Sequence, residues 1–342
     1  MTVISTIKFT VCTIMLAWFV MLSPGPVEAA GYRVIKGDGA PVHVWYPTDS
    51  APVAGRLGPF DVAQAVDAPL RPGTYGIVLI SHGFNGRPRN HHLTAQALAD
   101  AGFVVVAPTH AADFYIDTKL RAAVLDWRVK ELRNAIEIVR QDDHFRLALD
   151  TTVIHGIGYS LGTATMMMAS GAGFDLSRVD GHCKSEIDPA FCEPLGLVSR
   201  WMLRSARGVE VHKPESKIPS RYFSMPVITG RVALIAPLAK GLVVEETGFT
   251  AKGVFVLGFE RDKTNLASFH TVPYRQLIPR GKLDRYVLNG TGSHVAFIAP
   301  FAKRVTDIEH IDAAIDPPGF DRRAFLDRLN AELVGYFTVE DE

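Results

Sequence analysis

This sequence predicts an α/β architecture: a mostly parallel central sheet with helices on both faces. Three observations point to it. Strand-length apolar runs alternate with segments of helical periodicity, the order that yields parallel strands joined by crossover helices. The chain has 342 residues, 47% of them hydrophobic, enough to cover both faces of a large sheet. The run from Val153 to Thr163 reads as an apolar strand passing through Gly158-Tyr159-Ser160-Leu161-Gly162 into a small-residue helix, Ala164 to Ala172. That is the context in which Gly-x-Ser-x-Gly presents a serine on a sharp turn.

At the N-terminus, Lys8 precedes an apolar run from Phe9 to Leu22, followed by Ser23-Pro24-Gly25-Pro26 and Val27-Glu28-Ala29-Ala30. A basic start, a short apolar segment and a small-residue exit predict a signal peptide over residues 1–30, cut after Ala29 or Ala30, and therefore a secreted or periplasmic protein. An uncleaved anchor is the alternative, but Pro24 and Pro26 break the helix early and the run is short for a full span. Cys12 leaves with the signal. The remaining chain, 31–342, holds Cys183 and Cys192, whose closeness in sequence suits a small disulfide loop in an oxidising compartment. Two free buried thiols are the other reading, and neither cysteine has a second pair with which to build a zinc site.

Tyr32 to Lys36 and Val42 to Tyr46 alternate as two short antiparallel strands. Tyr75 to Ser81 is a continuous apolar strand of the kind buried in a parallel sheet. It runs into the loop His82-Gly83-Phe84-Asn85-Gly86, a helix around His91 to Ala101 and the strand Phe103 to Ala107. Between Lys119 and Asp142, the positions Leu125, Val129, Leu132, Ile136 and Val139 form one helical stripe. Later strands are expected at Val232 to Ala236, Val254 to Gly258 and Arg285 to Leu288. A final helix over Asp321 to Phe337 carries Phe325, Leu329, Leu333 and Phe337. Residues 173–231 are too many for an ordinary connection and predict a cap or lid insertion over the site.

A serine hydroxyl needs a base to take its proton and a third group to orient that base. In this fold class the chain order is serine, acid, histidine. Among the histidines after Ser160, His294 lies in the Gly-rich turn Asn289-Gly290-Thr291-Gly292-Ser293-His294 after a predicted strand, with His270 in reserve. The acid should follow the penultimate strand, where Gly258-Phe259-Glu260-Arg261-Asp262 offers two carboxylates. Asp262 is preferred to Glu260 because it lies further from the strand and reaches better toward the His294 turn; Glu245 and Glu246 are more remote. Oxyanion donors are expected from the backbone N–H groups of Leu161, which follows the serine, and Phe84. His82 shapes that loop.

These residues resemble the platelet-activating-factor acetylhydrolase and predicted dienelactone-hydrolase-like families of the α/β-hydrolase superfamily. The resemblance rests on Val44-Trp45-Tyr46-Pro47, Ile80-Ser81-His82-Gly83-Phe84, Trp127-Arg128-Val129-Lys130-Glu131-Leu132, Gly158-Tyr159-Ser160-Leu161-Gly162 and Gly292-Ser293-His294, across about Val42 to Phe301. It implies an α/β-hydrolase fold, a triad of Ser160, Asp262 and His294, and an oxyanion hole at Phe84 and Leu161. Dienelactone hydrolases proper use cysteine as nucleophile, so the lactone substrate does not carry over to a chain with Ser160. The acid turn Gly-Phe-Glu-Arg-Asp is also less regular than the family's.

The expectation is a serine esterase cleaving small-molecule or lipid carboxylic esters, with short acyl groups, through an acyl-enzyme intermediate and with no metal or organic cofactor. Lys+Arg and Asp+Glu balance at 36 each, which argues against a nucleic-acid partner. No stable membrane span is expected once the signal is cut. The alternatives are a catalytically silent binding protein on this scaffold, a serine peptidase or acyltransferase, and a metallohydrolase using His82, His91, His92 and His110, whose spacing matches no recognised ligand set.

Overall fold

A computed structural model describes residues 29–37, 40–114, 121–192 and 221–339. Residues 1–28 of the predicted signal, and the part of the insertion that holds Trp201 and Lys213, lie outside them. Strands follow in the order β1 (Ala29–Lys36), β2 (Pro41–Thr48), β3 (Val53–Leu57), β4 (Phe60–Val66), β5 (Tyr75–Ser81), β6 (Phe103–Pro108) and β7 (Leu149–Tyr159). After these come β8 (Gly173–Asp175), β9 (Arg221–Phe223), β10 (Val232–Ile235), β11 (Leu242–Val243), β12 (Val254–Phe259) and β13 (Leu283–Asn289). The longer helices are α1 (His92–Asp100), α2 (Arg121–Gln141), α3 (Leu161–Ala169), α4 (Leu176–Ser185) and α5 (Arg322–Thr338).

Ten strands form one sheet in the order β13-β12-β10-β7-β5-β6-β2-β1-β4-β3. From β13 to β6 every neighbouring pair is parallel, and β2 and β1 then add antiparallel. The fold is thus mixed α/β with a largely parallel centre.

Both faces of that centre are covered, which is why its strands are apolar without alternation. In β5, Ile77 and Leu79 enter one core with Leu125, Val129, Leu132, Ile136 and Val139 of α2. Val78 and Ile80 enter the other with Leu98 of α1 and Phe325, Leu329, Leu333 and Phe337 of α5. The α5 N-terminus is capped by Asp321, whose carboxylate accepts the Ala324 N–H at 2.9 Å.

Three features depart from the sequence expectations. The hairpin β3–β4 adds at the sheet edge; buried Gln64 interrupts the apolar alternation of β4 and hides its period. Helix α3 begins at Leu161 and ends at Ala169 rather than Ala172, because Gly171 turns the chain at φ 96°. Within the insertion, β8 pairs with β9, and β11 from beyond its end completes a small antiparallel sheet. Cys183 of α4 and Cys192 of the short helix Pro189–Cys192 are joined by a disulfide. Among the described residues no helix is long and apolar enough to cross a membrane.

Candidate active site

Parallel strands deliver their C-terminal ends to one edge of the sheet, where ligand sites of open α/β sheets gather. Here β5 ends at the His82 loop, β7 at Ser160, β12 at the Asp262 loop and β13 at the His294 turn.

Ser160 joins β7 to α3 with φ 53° and ψ −120°, a backbone conformation that costs about 1–3 kcal/mol for a residue with a side chain. Its surroundings impose that conformation. Its N–H donates to the Ile235 carbonyl at 3.0 Å, and its carbonyl accepts from the Thr163 N–H at 2.9 Å and the Thr163 hydroxyl at 2.6 Å. The same hydroxyl accepts the Leu238 N–H at 2.9 Å. A methyl group at Gly162 would run into the Ser81 carbonyl, and one at Gly158 into the backbone of Gly162 and Thr163. Both motif glycines are therefore required by close backbone approach.

Ser160 Oγ lies 3.0 Å from His294 Nε2, and His294 Nδ1 lies 2.7 Å from Asp262 Oδ2. The other carboxylate oxygen, Oδ1, accepts the Thr264 and Asn265 N–H groups at 2.8 and 2.7 Å, which fixes the plane of the acid. Asn265 is itself held by its side-chain amide, which donates to the carbonyls of Ala236 and Pro237. The His294 turn is folded by Asn289, whose side-chain oxygen accepts from the N–H groups of Thr291 and Gly292. Asp262 is buried, whereas the His294 side chain keeps 14% of its surface exposed. The imidazole is thus partly open to solvent while its carboxylate partner is not.

Beside Ser160, Leu161 is the first residue of α3, and the N–H of a first helical residue has no acceptor within the helix. Gly83 packs against Tyr159 and Ser160, so closely that a methyl on its α-carbon would lie 3.1 Å from the first and 3.2 Å from the second. The loop carrying Phe84 therefore passes directly over the serine.

That loop stands on a buried polar network. His82 Nδ1 donates to the Gly83 carbonyl at 2.7 Å, and its Nε2 accepts the His110 N–H at 3.1 Å. Arg128 donates to the His82 carbonyl and lies 3.5 Å from Asp113, whose other oxygen accepts the Asn85 N–H at 2.9 Å. His110 bridges Ser81 Oγ at 2.9 Å and Glu131 at 2.7 Å. Burial, reinforced by Arg128, holds both histidines well below the ordinary imidazole value, so they remain neutral. Burial pushes the Asp113 carboxyl up, against the pull of Arg128.

The remaining candidates lie elsewhere. Glu260 is exposed beside Gly290, Glu245 pairs with Arg221 at 2.7 Å and Glu246 is exposed. His270 faces Asp188 at 2.9 Å. Of the histidines weighed as metal ligands, His91 contacts the Phe297 carbonyl at 3.2 Å and His92 the Arg89 carbonyl at 2.9 Å. They do not converge with His82 and His110 on one point. Sequence reasoning did not find the roles of Arg128, Asp113 and Glu131 under the loop. Arg128 and Glu131 stand in the Trp127 to Leu132 segment and interrupt the apolar stripe of α2 with charge, whereas Asp113, in the short helix Ala111–Phe114, carries no such signal.

No family model matches this chain, and no curated protein matches it.

Proposed function

We propose that this chain is a serine hydrolase of carboxylic esters, built on an α/β-hydrolase fold and working through an acyl-enzyme. The observation that carries the reading is the hydrogen-bonded chain from Ser160 Oγ through His294 to Asp262. Ser160 Oγ attacks the ester carbonyl carbon while His294 Nε2 takes its proton, and Asp262 holds the imidazole by Nδ1 and stabilises the imidazolium. The oxyanion is received by the N–H groups of Leu161 and Phe84. Collapse breaks the bond to the alkoxy oxygen, which leaves as the alcohol with the proton from His294. Water, deprotonated by the same imidazole, then releases the acid and restores Ser160.

The likeness of the Ile80 to Phe84, Trp127 to Leu132 and Gly158 to Gly162 segments to acetylhydrolase-like esterases supports short acyl groups. The Cys183–Cys192 disulfide and the apolar N-terminal run support an exported protein.

The test is hydrolysis of p-nitrophenyl esters from acetyl to long acyl, comparing the protein with Ser160→Ala. Activity that falls with acyl length and is lost in the variant supports a short-acyl serine esterase. An inert wild type, or a fully active Ser160→Ala, removes the reading and leaves the binding-protein alternative.

A further inference from the structure

A second cluster, unused by this chemistry, centres on Asp188. Its Oδ2 lies 2.9 Å from Nε2 of both His182 and His270. Its Oδ1, equally buried, meets no donor among the described residues. His182, Asp188 and His270 are 7%, 2% and 0% exposed, and their ligand-type atoms lie within 4.8 Å of one another. His182 comes from α4 and Asp188 from the loop closed by the disulfide. His270 ends the short helix Ala267–His270, which follows the Asp262 loop.

The donors make the arrangement informative. Both imidazoles meet the same oxygen of the carboxylate, and a buried carboxylate oxygen with no partner among the described residues carries a desolvation cost. Lys240 does not reach it, since its ammonium sits over the Phe269 ring, 5.5 Å from the centroid. One divalent ion would take both imidazole nitrogens and the carboxylate. We propose that His182, Asp188 and His270 bind a divalent transition-metal ion, zinc by the nature of the donors, which ties α4 and the disulfide loop to the helix Ala267–His270.

Two imidazole nitrogens and one carboxylate form a borderline donor set of the kind zinc takes, and Asp188 Oδ1 supplies a fourth donor. Zinc–ligand bonds of about 2.0–2.2 Å set neighbouring ligand atoms a little over 3 Å apart; each imidazole–carboxylate pair stands at 2.9 Å and the whole trio lies within 4.8 Å, so side-chain adjustment alone brings the donors around one ion. Metal at Nε2 puts the imidazole proton on Nδ1. At His270, Nδ1 faces the Ala239 N–H at 3.4 Å, the outer limit of a hydrogen bond. Loading therefore exchanges the two 2.9 Å imidazole–carboxylate hydrogen bonds and the weak Ala239 contact for metal–ligand bonds.

The test equilibrates the untagged protein with zinc, dialyses it against zinc-free buffer and measures the metal-to-protein ratio. Asp188→Asn, His270→Gln and the exposed control His310→Gln are treated alike. The expected result is about one zinc per chain in the wild type and in His310→Gln, with affinity lowered by more than about tenfold in the other two. Should either cluster variant fail to fold, the wild type alone decides, because zinc must raise its thermal midpoint and a chelator must lower it again. No retained zinc and no shift in the wild type, or wild-type retention by folded Asp188→Asn and His270→Gln, overturns the proposal. Ser160→Ala is expected to hold zinc as the wild type does, so this result is independent of the esterase test.

Discussion

The hydroxyl of Tyr159 donates a hydrogen bond of 2.9 Å to the main-chain oxygen of His294, and its ring lies 5.4 Å from the imidazole. The residue next to the serine thus holds the backbone of the residue that faces the serine. Removing the hydroxyl loosens this tie without disturbing the ring. Tyr159→Phe is expected to lose about 1 kcal/mol of stability and to lower kcat by about tenfold with little change in KM, as steady-state kinetics on a p-nitrophenyl ester will show.

Asp262 carries the orienting role in the proposed mechanism, while Glu260, two residues earlier, is exposed. Asp262→Asn should lower kcat by about ten-thousandfold, the scale seen when the orienting acid of such a triad is neutralised. Glu260→Gln should remain within about twofold of the wild type. Equal losses in the two variants would remove Asp262 from the mechanism.

Gly83 lies in tight quarters between its loop and the serine turn. A methyl there would press on Tyr159 at 3.1 Å and on Ser160 at 3.2 Å, displacing the Phe84 N–H from the position proposed for the oxyanion. Gly83→Ala should fold, bind substrate with a similar KM and lose about a hundredfold in kcat, the scale of losing one oxyanion donor.

Acid should weaken the fold through buried histidines. Burial lowers His91 and His92 from 6.5 to about 4, against the hydrogen bonds that each makes to a backbone carbonyl. Between those values the unfolded chain binds protons that the folded one refuses, so stability is full above pH 6.5 and falls as the pH drops toward 4. The loss is on the order of 2–3 kcal/mol for each histidine. Urea midpoints at pH 7 and pH 5 measure it, and His91→Phe, which keeps a ring against Phe297, should flatten the dependence.

The sequence showed most where one local constraint dominates. Gly158 and Gly162 are forced by backbone contacts that only a glycine survives, and His294 by a turn closed on Asn289, so motif and spacing carried their positions. Asp262 was harder to place, since only the tertiary fold distinguishes it from Glu260. His82 was legible as a residue that shapes the Phe84 loop, but the platform beneath it was hidden because His110, Asp113 and Arg128 join it through burial and hydrogen bonding, which leave no periodic trace. The meeting of Asp188 with His270 was hidden in the same way, since the two come from segments brought together only by folding.

The strands that bound residues 176–220 lie side by side, with Asp175 opposite Arg221 in the β8–β9 register. The chain therefore leaves the small antiparallel sheet and returns to it at one fixed place. Doubling the length of a loop with anchored ends costs only about 0.6 kcal/mol in closure entropy. Chain beyond the Cys183–Cys192 disulfide can therefore change in length, while α4, the disulfide loop and the strands carrying Ser160, Asp262 and His294 keep their places.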